Sequence, residues 1–448
     1  MKNDNSKFKM IFGDANSYIS KFILVILFFL PAYLFKIKFG WLSFNILELL
    51  VGILFIIWIF SKEKKYLILH TKYFIPILII FTGLILSVIA NKNLYAGFGA
   101  IKGWFVIPIM FAIVFLDALK KDESLLKKSL MVLFFSGVAV SAVGIIYKFL
   151  GILTYDNRLK IFWDSPNQLA MFLAVPFLIG IEKFGFEEFR ELCSRKEKAE
   201  LWKIGAIFFS LLLILLNLFL TKSYGAWLAI AVALFAIFWL KYSKKWQKKY
   251  LTILILIFAI LISLASIYKY KSVANMGERS SLASRFTIWK SAGLMIENNP
   301  LFGIGPGNFQ EKYLEYQKYF PPYLEWSVPQ PHNIFLAFWL ESGLVGLIGF
   351  VILLFYFFRD NKKVYPFTKI KEDNNTSISV IKKQISEKLD DKEYFGDGAI
   401  QDLRILLLGI MIYLLVHGLV DTTYWRNDLA VVFWTIVAAN YFLAERNS

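Results

Sequence analysis

Apolar runs of bilayer length recur along this chain from near residue 20 to residue 445, and that recurrence constrains its fold more than any single motif. Crossing about 30 Å of hydrocarbon takes roughly 20 helical residues, since each residue rises about 1.5 Å. About twelve stretches meet that test, near 20–36, 41–60, 73–91, 99–117, 129–150, 168–183, 204–221, 225–240, 251–267, 333–358, 404–422 and 427–445. A chain that is 58% hydrophobic, 18% aromatic and 19% charged cannot hide that apolar surface inside a soluble core. The expected fold class is an all-α membrane protein of about 12 transmembrane helices, one polytopic domain over residues 1–448. A single cysteine, Cys193, leaves no intramolecular disulfide framework and no multi-cysteine metal site.

The net charge of +17 lies in short cationic blocks between the apolar runs, not along one soluble face. That is the positive-inside pattern, and it argues against nucleic acid as a partner. With the N-terminus inside, most of the 50 Lys and Arg fall in the two tails and in the loops near 61, 120, 190, 245 and 380, so both termini are expected to be cytoplasmic. The first run follows basic residues but lacks a small-x-small cleavage site, so it reads as a retained span. The inner loops, including the long one at 359–403, mix both charge signs with few aromatics, as solvated connectors do.

The opposite face collects the unusual side chains. It holds Tyr155, Asp156, Arg158, Trp163, Asp164 and the SPNQ sequence, then Lys222, Ser223 and Tyr224, then the 268–332 loop, then Asp421, Tyr424, Trp425 and Arg426. Glu48 and Lys102 lie inside spans but toward this same side, where a transporter would place such groups near the midplane. For Lys102 an interfacial snorkelling role stands beside a functional one, and for Glu48 a buried hydrogen bond is expected.

Within the large outer loop, Arg285 and Trp289 are one helical turn apart, so a guanidinium suited to phosphate oxygens has an indole to stack on. Anchoring to lipid headgroups accounts for the same pair equally well. His332 follows Pro331, which suits the first turn of a helix, where the positive dipole end keeps an imidazole neutral and able to accept a proton. Asn333 is placed to cap or orient. Gly303, Gly305 and Gly307 lack the preceding strand that a phosphate cradle needs, so NNPLFGIGPGNF reads as a tight turn. His417 and Asp421 stand at i and i+4 and are expected to pair along one face. With no HExxH and no carboxylate cluster, a metal-independent site is expected.

Five stretches, RFTIWKSAGLMIENNPLFGIGPGNF, PHNIFLAFWLESGLVGLIGF, TKSYGAW, SPNQLAMFLAVP and HGLVDTTYW, resemble the O-antigen ligase and polymerase superfamily of bacterial multi-pass membrane proteins. The resemblance implies a helical architecture similar to GT-C glycosyltransferases, with 268–332 as an extracytoplasmic catalytic loop. It implies glycosyl transfer, without cofactor or nucleotide sugar, from an undecaprenyl-diphosphate-linked glycan to an acceptor at the outer face of the bacterial inner membrane. The acceptor is lipid A-core for a ligase, and a second lipid-linked glycan for an O-antigen, capsule or other surface-polysaccharide polymerase. Membrane lipids are the other partners. On this resemblance Arg285 matches the arginine that holds the diphosphate, and His332 matches the histidine that deprotonates the acceptor hydroxyl. In TKSYGAW, Tyr224 stands where the family commonly has arginine. Lys222, Arg279 and Lys102 are candidates for the missing charge, while Tyr224, Arg158 and Trp289 complete the set of substrate-binding candidates. A flippase of lipid-linked glycans is the reading from another class; it requires a cationic cavity at the midplane and an internal repeat.

Overall fold

The computed structural model describes residues 15–39, 42–61, 71–183, 198–241, 281–321, 328–361 and 397–446. Among them the chain is predominantly helical, and seven helices are long and apolar enough to cross a membrane: Phe74–Asn91, Leu94–Lys121, Ser124–Phe149, Tyr224–Lys241, Ile334–Asp360, Gly398–Gly418 and Asn427–Glu445. Shorter apolar helices at Asn16–Phe28, Ile46–Phe60, Pro166–Glu182 and Gly205–Thr221 coincide with other expected spans. The expected span at 251–267 and most of the 359–403 loop lie outside the described residues.

In chain order the helices are α1 (Ala15–Phe28), α2 (Ile46–Phe60), α3 (Phe74–Asn91), α4 (Leu94–Ile101), α5 (Ile107–Lys121), α6 (Ser124–Phe149), α7 (Pro166–Lys183), α8 (Lys198–Thr221), α9 (Tyr224–Lys241), α10 (Ser281–Asn298), α11 (Phe309–Tyr316), α12 (Ile334–Asp360), α13 (Asp397–Gly418) and α14 (Asn427–Glu445). Lys102–Val106 forms a π-turn joining α4 to α5. The first two expected spans are shortened, because a 3₁₀ turn carrying Pro31 ends the first helical run and a hairpin follows. In that hairpin β1 (Lys36–Phe39) pairs antiparallel with β2 (Leu42–Asn45), so among the described residues the expectation of an all-α chain holds except here. Asn45 then caps α2, its side chain accepting from Glu48 N at 2.9 Å.

Helix α14 is the axis of the bundle: from Asn427 to Leu443 every residue but Tyr441 is buried. It packs along α5, while α9 lies against α13, and α7 against α6 and α8. Helices α3 and α12 run closest together. A Cβ at Gly83 would strike the backbone of Gly346 and the carbonyl oxygen of Ser342. Small residues permit that backbone approach, which is what drives helix association where lipid removes the hydrophobic contrast.

Helix α12 is interrupted at Gly343, whose φ of 67° and ψ of −177° only glycine adopts readily. The break releases backbone groups from the helical ladder, and the 300–308 loop takes them. Ile304 N donates to Leu340 O at 2.7 Å, and Leu344 N donates to Leu301 O at 3.0 Å. Trp339 Nε1 reaches Pro300 O at 2.8 Å and Ser87 Oγ reaches Phe302 O at 2.5 Å. Gly303, Gly305 and Gly307 all have positive φ, as the tight turn requires.

Above this junction sits a second, smaller core made of Ile288, Ala292, Met295, Ile296, Ile304, Phe309, Tyr313, Val328 and Leu340. Residues 281–321 are therefore a packed cap of two helices and a turn, seated on the N-terminal half of α12. Tyr313 is fully buried and stacked on Phe309 with centroids 5.9 Å apart.

Candidate active site

His332 does not occupy the first turn of α12. It has φ 48° and precedes Asn333, the N-cap, whose side chain accepts from Phe335 N at 2.9 Å and Leu336 N at 3.0 Å. With the cap supplied by Asn333, the preceding residue turns back left-handed and its imidazole points across the helix mouth. Asn333 Nδ2 also donates to Leu419 O at 3.0 Å, tying the mouth of α12 to the turn after α13.

That turn carries Asp421. His332 Nδ1 lies 2.8 Å from Asp421 Oδ1, although the two residues are 89 apart in sequence. A carboxylate can only accept, so Nδ1 carries the hydrogen, and in the neutral imidazole Nε2 keeps its lone pair. Asp421 is buried, and its Oδ1 also accepts from Thr422 N at 2.9 Å. Burial alone would raise its pKa, but the neighbouring His332 and Arg285 outweigh that and hold the carboxyl well below the usual carboxylate range.

Arg285, in the second turn of α10, donates from Nε to Val420 O at 2.6 Å and places Nη2 3.6 Å from Asp421 Oδ2. Trp289, one turn on, is tied to the mouth of α12 through its indole N–H. Its Nε1 donates to Pro331 O at 3.1 Å and His332 O at 3.4 Å. The two side chains thus grip consecutive pieces of the same site, residues 420–421 and 331–332.

A second guanidinium reaches the same carboxylate through one amide. Arg158 donates from Nη2 to Asn167 Oδ1 at 2.8 Å, and Asn167 Nδ2 donates to Asp421 Oδ2 at 3.3 Å. Arg158 Nε is fixed on Thr221 O at 2.7 Å. Burial, together with the charge of Arg285, lowers the pKa of Arg158 against the opposing effect of Asp156.

The remaining candidates sit elsewhere. Lys102, at the π-turn, is 2.8 Å from Glu48, donates to Ser43 O at 2.6 Å and lies over the Phe44 ring. Glu48 accepts from Asn427 Nδ2 at 3.1 Å, which is the buried hydrogen bond expected of it. Lys222 directs Nζ toward Asp156 O at 3.4 Å from an exposed turn, and Tyr224 opens α9 half-exposed. Arg279 lies outside the described residues. His417 and Asp421 do not share a side-chain hydrogen bond: His417 Nδ1 meets Tyr413 Oη at 2.8 Å inside the bundle, while Asp421 turns to His332 and Arg285. Among the described residues, no group of three His, Cys, Asp or Glu is placed to hold a metal ion.

Sequence spacing therefore missed Asp421 as the partner of His332, and Asn167 as the link to Arg158. The available signal was positional only: both lie in polar stretches, SPNQ and DTTYWRND, that open spans on the expected outer face.

The family model described as O-antigen ligase matches residues 209–351, the stretch that carries Tyr224, Arg285, Trp289 and His332. That stretch is thus similar to the O-antigen ligase family. An uncharacterized protein of Haemophilus influenzae is similar as well, 26% identical over 175 residues, an alignment that covers 34% of this chain and 43% of that relative. The chain thus spans less than half of that relative's length. The family match and the grip of Arg285 and Trp289 on the mouth of α12 fall on the same residues. Arg158, Asn167 and Asp421, which complete the cluster, come from outside it.

Proposed function

We propose that this protein transfers a glycan from an undecaprenyl-diphosphate carrier to an acceptor hydroxyl at the outer face of the bacterial inner membrane, as an O-antigen ligase using lipid A-core. The observation that carries this reading is the Asp421–His332 contact beside Arg285. A neutral His332 held in this way offers Nε2 as a base beside a cation suited to phosphate, which supports the reading. The O-antigen ligase match over residues 209–351 supports the same class of chemistry.

On this reading the acceptor O–H gives its proton to His332 Nε2 as its oxygen attacks the anomeric carbon. The bond from that carbon to the phosphate oxygen breaks, and undecaprenyl diphosphate leaves with the electron pair. Attack opposite the leaving group inverts the anomeric centre. Arg285 offsets the negative charge that develops on the diphosphate, in a site drier than bulk water. Asp421 acts through His332 by fixing its tautomer and then stabilising the imidazolium. No metal is assigned a part. About 12 spans in a GT-C-like arrangement, with both termini cytoplasmic, complete the proposal.

The test is reconstitution in nanodiscs with an undecaprenyl-diphosphate glycan, with lipid A-core supplied or withheld, and mass analysis of the products. Product that forms only with lipid A-core supports the ligase. Lengthening of the lipid-linked glycan in its absence makes the protein a polymerase. An intact donor that only moves between leaflets makes it a flippase.

A further inference from the structure

Resting on the glycosyl-transfer reading above, we infer that Arg158 is the second cation of the diphosphate site, acting with Arg285 where residue 224 offers a phenol instead of a guanidinium.

Arg158 is already shaped for this task. Its Nε and Nη2 are committed to Thr221 O and Asn167 Oδ1, which fixes the plane of the guanidinium. Its Nη1 stands 3.7 Å from Asp156 Oδ2, beyond hydrogen-bond length, so that edge remains available to an incoming oxygen. The Asn167 bridge links it to Asp421 Oδ2, the same carboxylate oxygen that Arg285 approaches, within the cluster that orients His332. Both arginine side chains are mostly buried yet reach solvent, at 21% exposure for Arg158 and 16% for Arg285.

Charge points the same way. Arg158, Arg285 and Lys222 face Asp156 and Asp421, leaving an excess of positive charge at a site that also buries its guanidiniums. Burial and Arg285 both disfavour the charged form of Arg158, a cost that a bound dianion relieves. The other cations raised by the sequence are placed differently: Lys102 is held by Glu48, and Lys222 turns its ammonium to the Asp156 carbonyl. Tyr224 is half-exposed at the start of α9, three residues after Thr221, whose carbonyl oxygen holds Arg158 Nε, so a guanidinium introduced there starts from the same turn.

The experiment measures dissociation constants of full-length protein in nanodiscs for undecaprenyl diphosphate and undecaprenyl monophosphate. Arg158→Gln is expected to weaken diphosphate binding about tenfold, the value of one lost charge-assisted contact, with monophosphate affinity changed little. Adding Tyr224→Arg to that protein is expected to restore the diphosphate preference. An unchanged preference, an equal loss for both lipids, or no rescue overturns the assignment. Arg285→Gln separates the two levels of the argument. If it weakens diphosphate binding while Arg158→Gln does not, only the role of Arg158 fails; if neither does, the diphosphate reading of the site fails with it. Should Arg158→Gln not fold, Asp156→Asn keeps the guanidinium and removes its competing carboxylate. It should tighten diphosphate binding severalfold, and no change there overturns the proposal.

Discussion

His332 is held by contacts with separable jobs, so its neighbours predict different phenotypes. Removing the imidazole with His332→Ala should lower transfer by roughly 10²–10⁴-fold, the usual worth of a general base, while donor affinity is kept; single-turnover assays beside donor binding measure this. Asp421→Asn should lower the rate as well, because an amide at 421 can offer Nδ1 a donor and so favour the wrong tautomer. A ligand role for Asp421 would raise KM instead. Its pKa adds a pH signature. The carboxyl is depressed in the folded protein, so its stabilisation is full above the ordinary aspartate value of about 3.9 and is lost as pH falls further toward the folded value. Thermal stability should therefore decline on the acid side in the wild type, and more shallowly in Asp421→Asn. The sequence made His332 and Arg285 legible as chemistry because each has a local setting, a proline before it or an indole one turn on. Asp421 was assigned to His417 because i,i+4 spacing is visible in one dimension, whereas a contact across 89 residues is not.

Elements were legible wherever periodic apolar content decided them, and less so where one residue broke the period. The runs at 73–91 and 427–445 became α3 and α14 nearly residue for residue. The run at 333–358 became α12, but nothing in its composition announced that Gly343 would open it. The reason lies outside the helix, in the 300–308 loop that takes up the freed backbone groups. Gly343→Ala tests this directly. The backbone there is a conformation that only glycine adopts freely, at a cost of about 1–3 kcal/mol for other residues. A Cβ would also strike the Leu301 carbonyl oxygen. The expected result is release of the loop, read as new protease cleavage near residues 299–308 with α12 still membrane-embedded. An uncut loop would mean that α12 can rewind and hold it by other bonds.

At the scale of the molecule, the protein has two cores of different kinds, a membrane bundle around α14 and the small cap core around Phe309 and Tyr313. The sequence presented the cap as a loop because neither of its helices carries an apolar run of bilayer length; only the convergence of Phe309 and Tyr313 with Ile304 and Leu340 makes a core. On the proposed function the division matters, because the cap supplies Arg285 and Trp289 while the bundle supplies His332, Asp421 and Arg158. Helix α10 turns Ile288, Ala292 and Met295 into the cap core, and Arg285 and Trp289 reach from the same helix to the bundle. Loosening the cap should therefore withdraw the phosphate cation without disturbing the His332–Asp421 pair. Phe309→Ala is the sharpest probe: Phe309 is fully buried, and its truncation should cost about 3–5 kcal/mol. If the cap is a separate cooperative unit, the variant will keep its helical circular dichroism and the melting of its membrane bundle in detergent, yet lose donor affinity in step with cap proteolysis. If cap and bundle fold as one, the main transition itself will shift down and donor affinity will follow it. In that case Arg285 is positioned by the whole protein, and its grip on Asp421 is part of what holds α10 to the membrane domain.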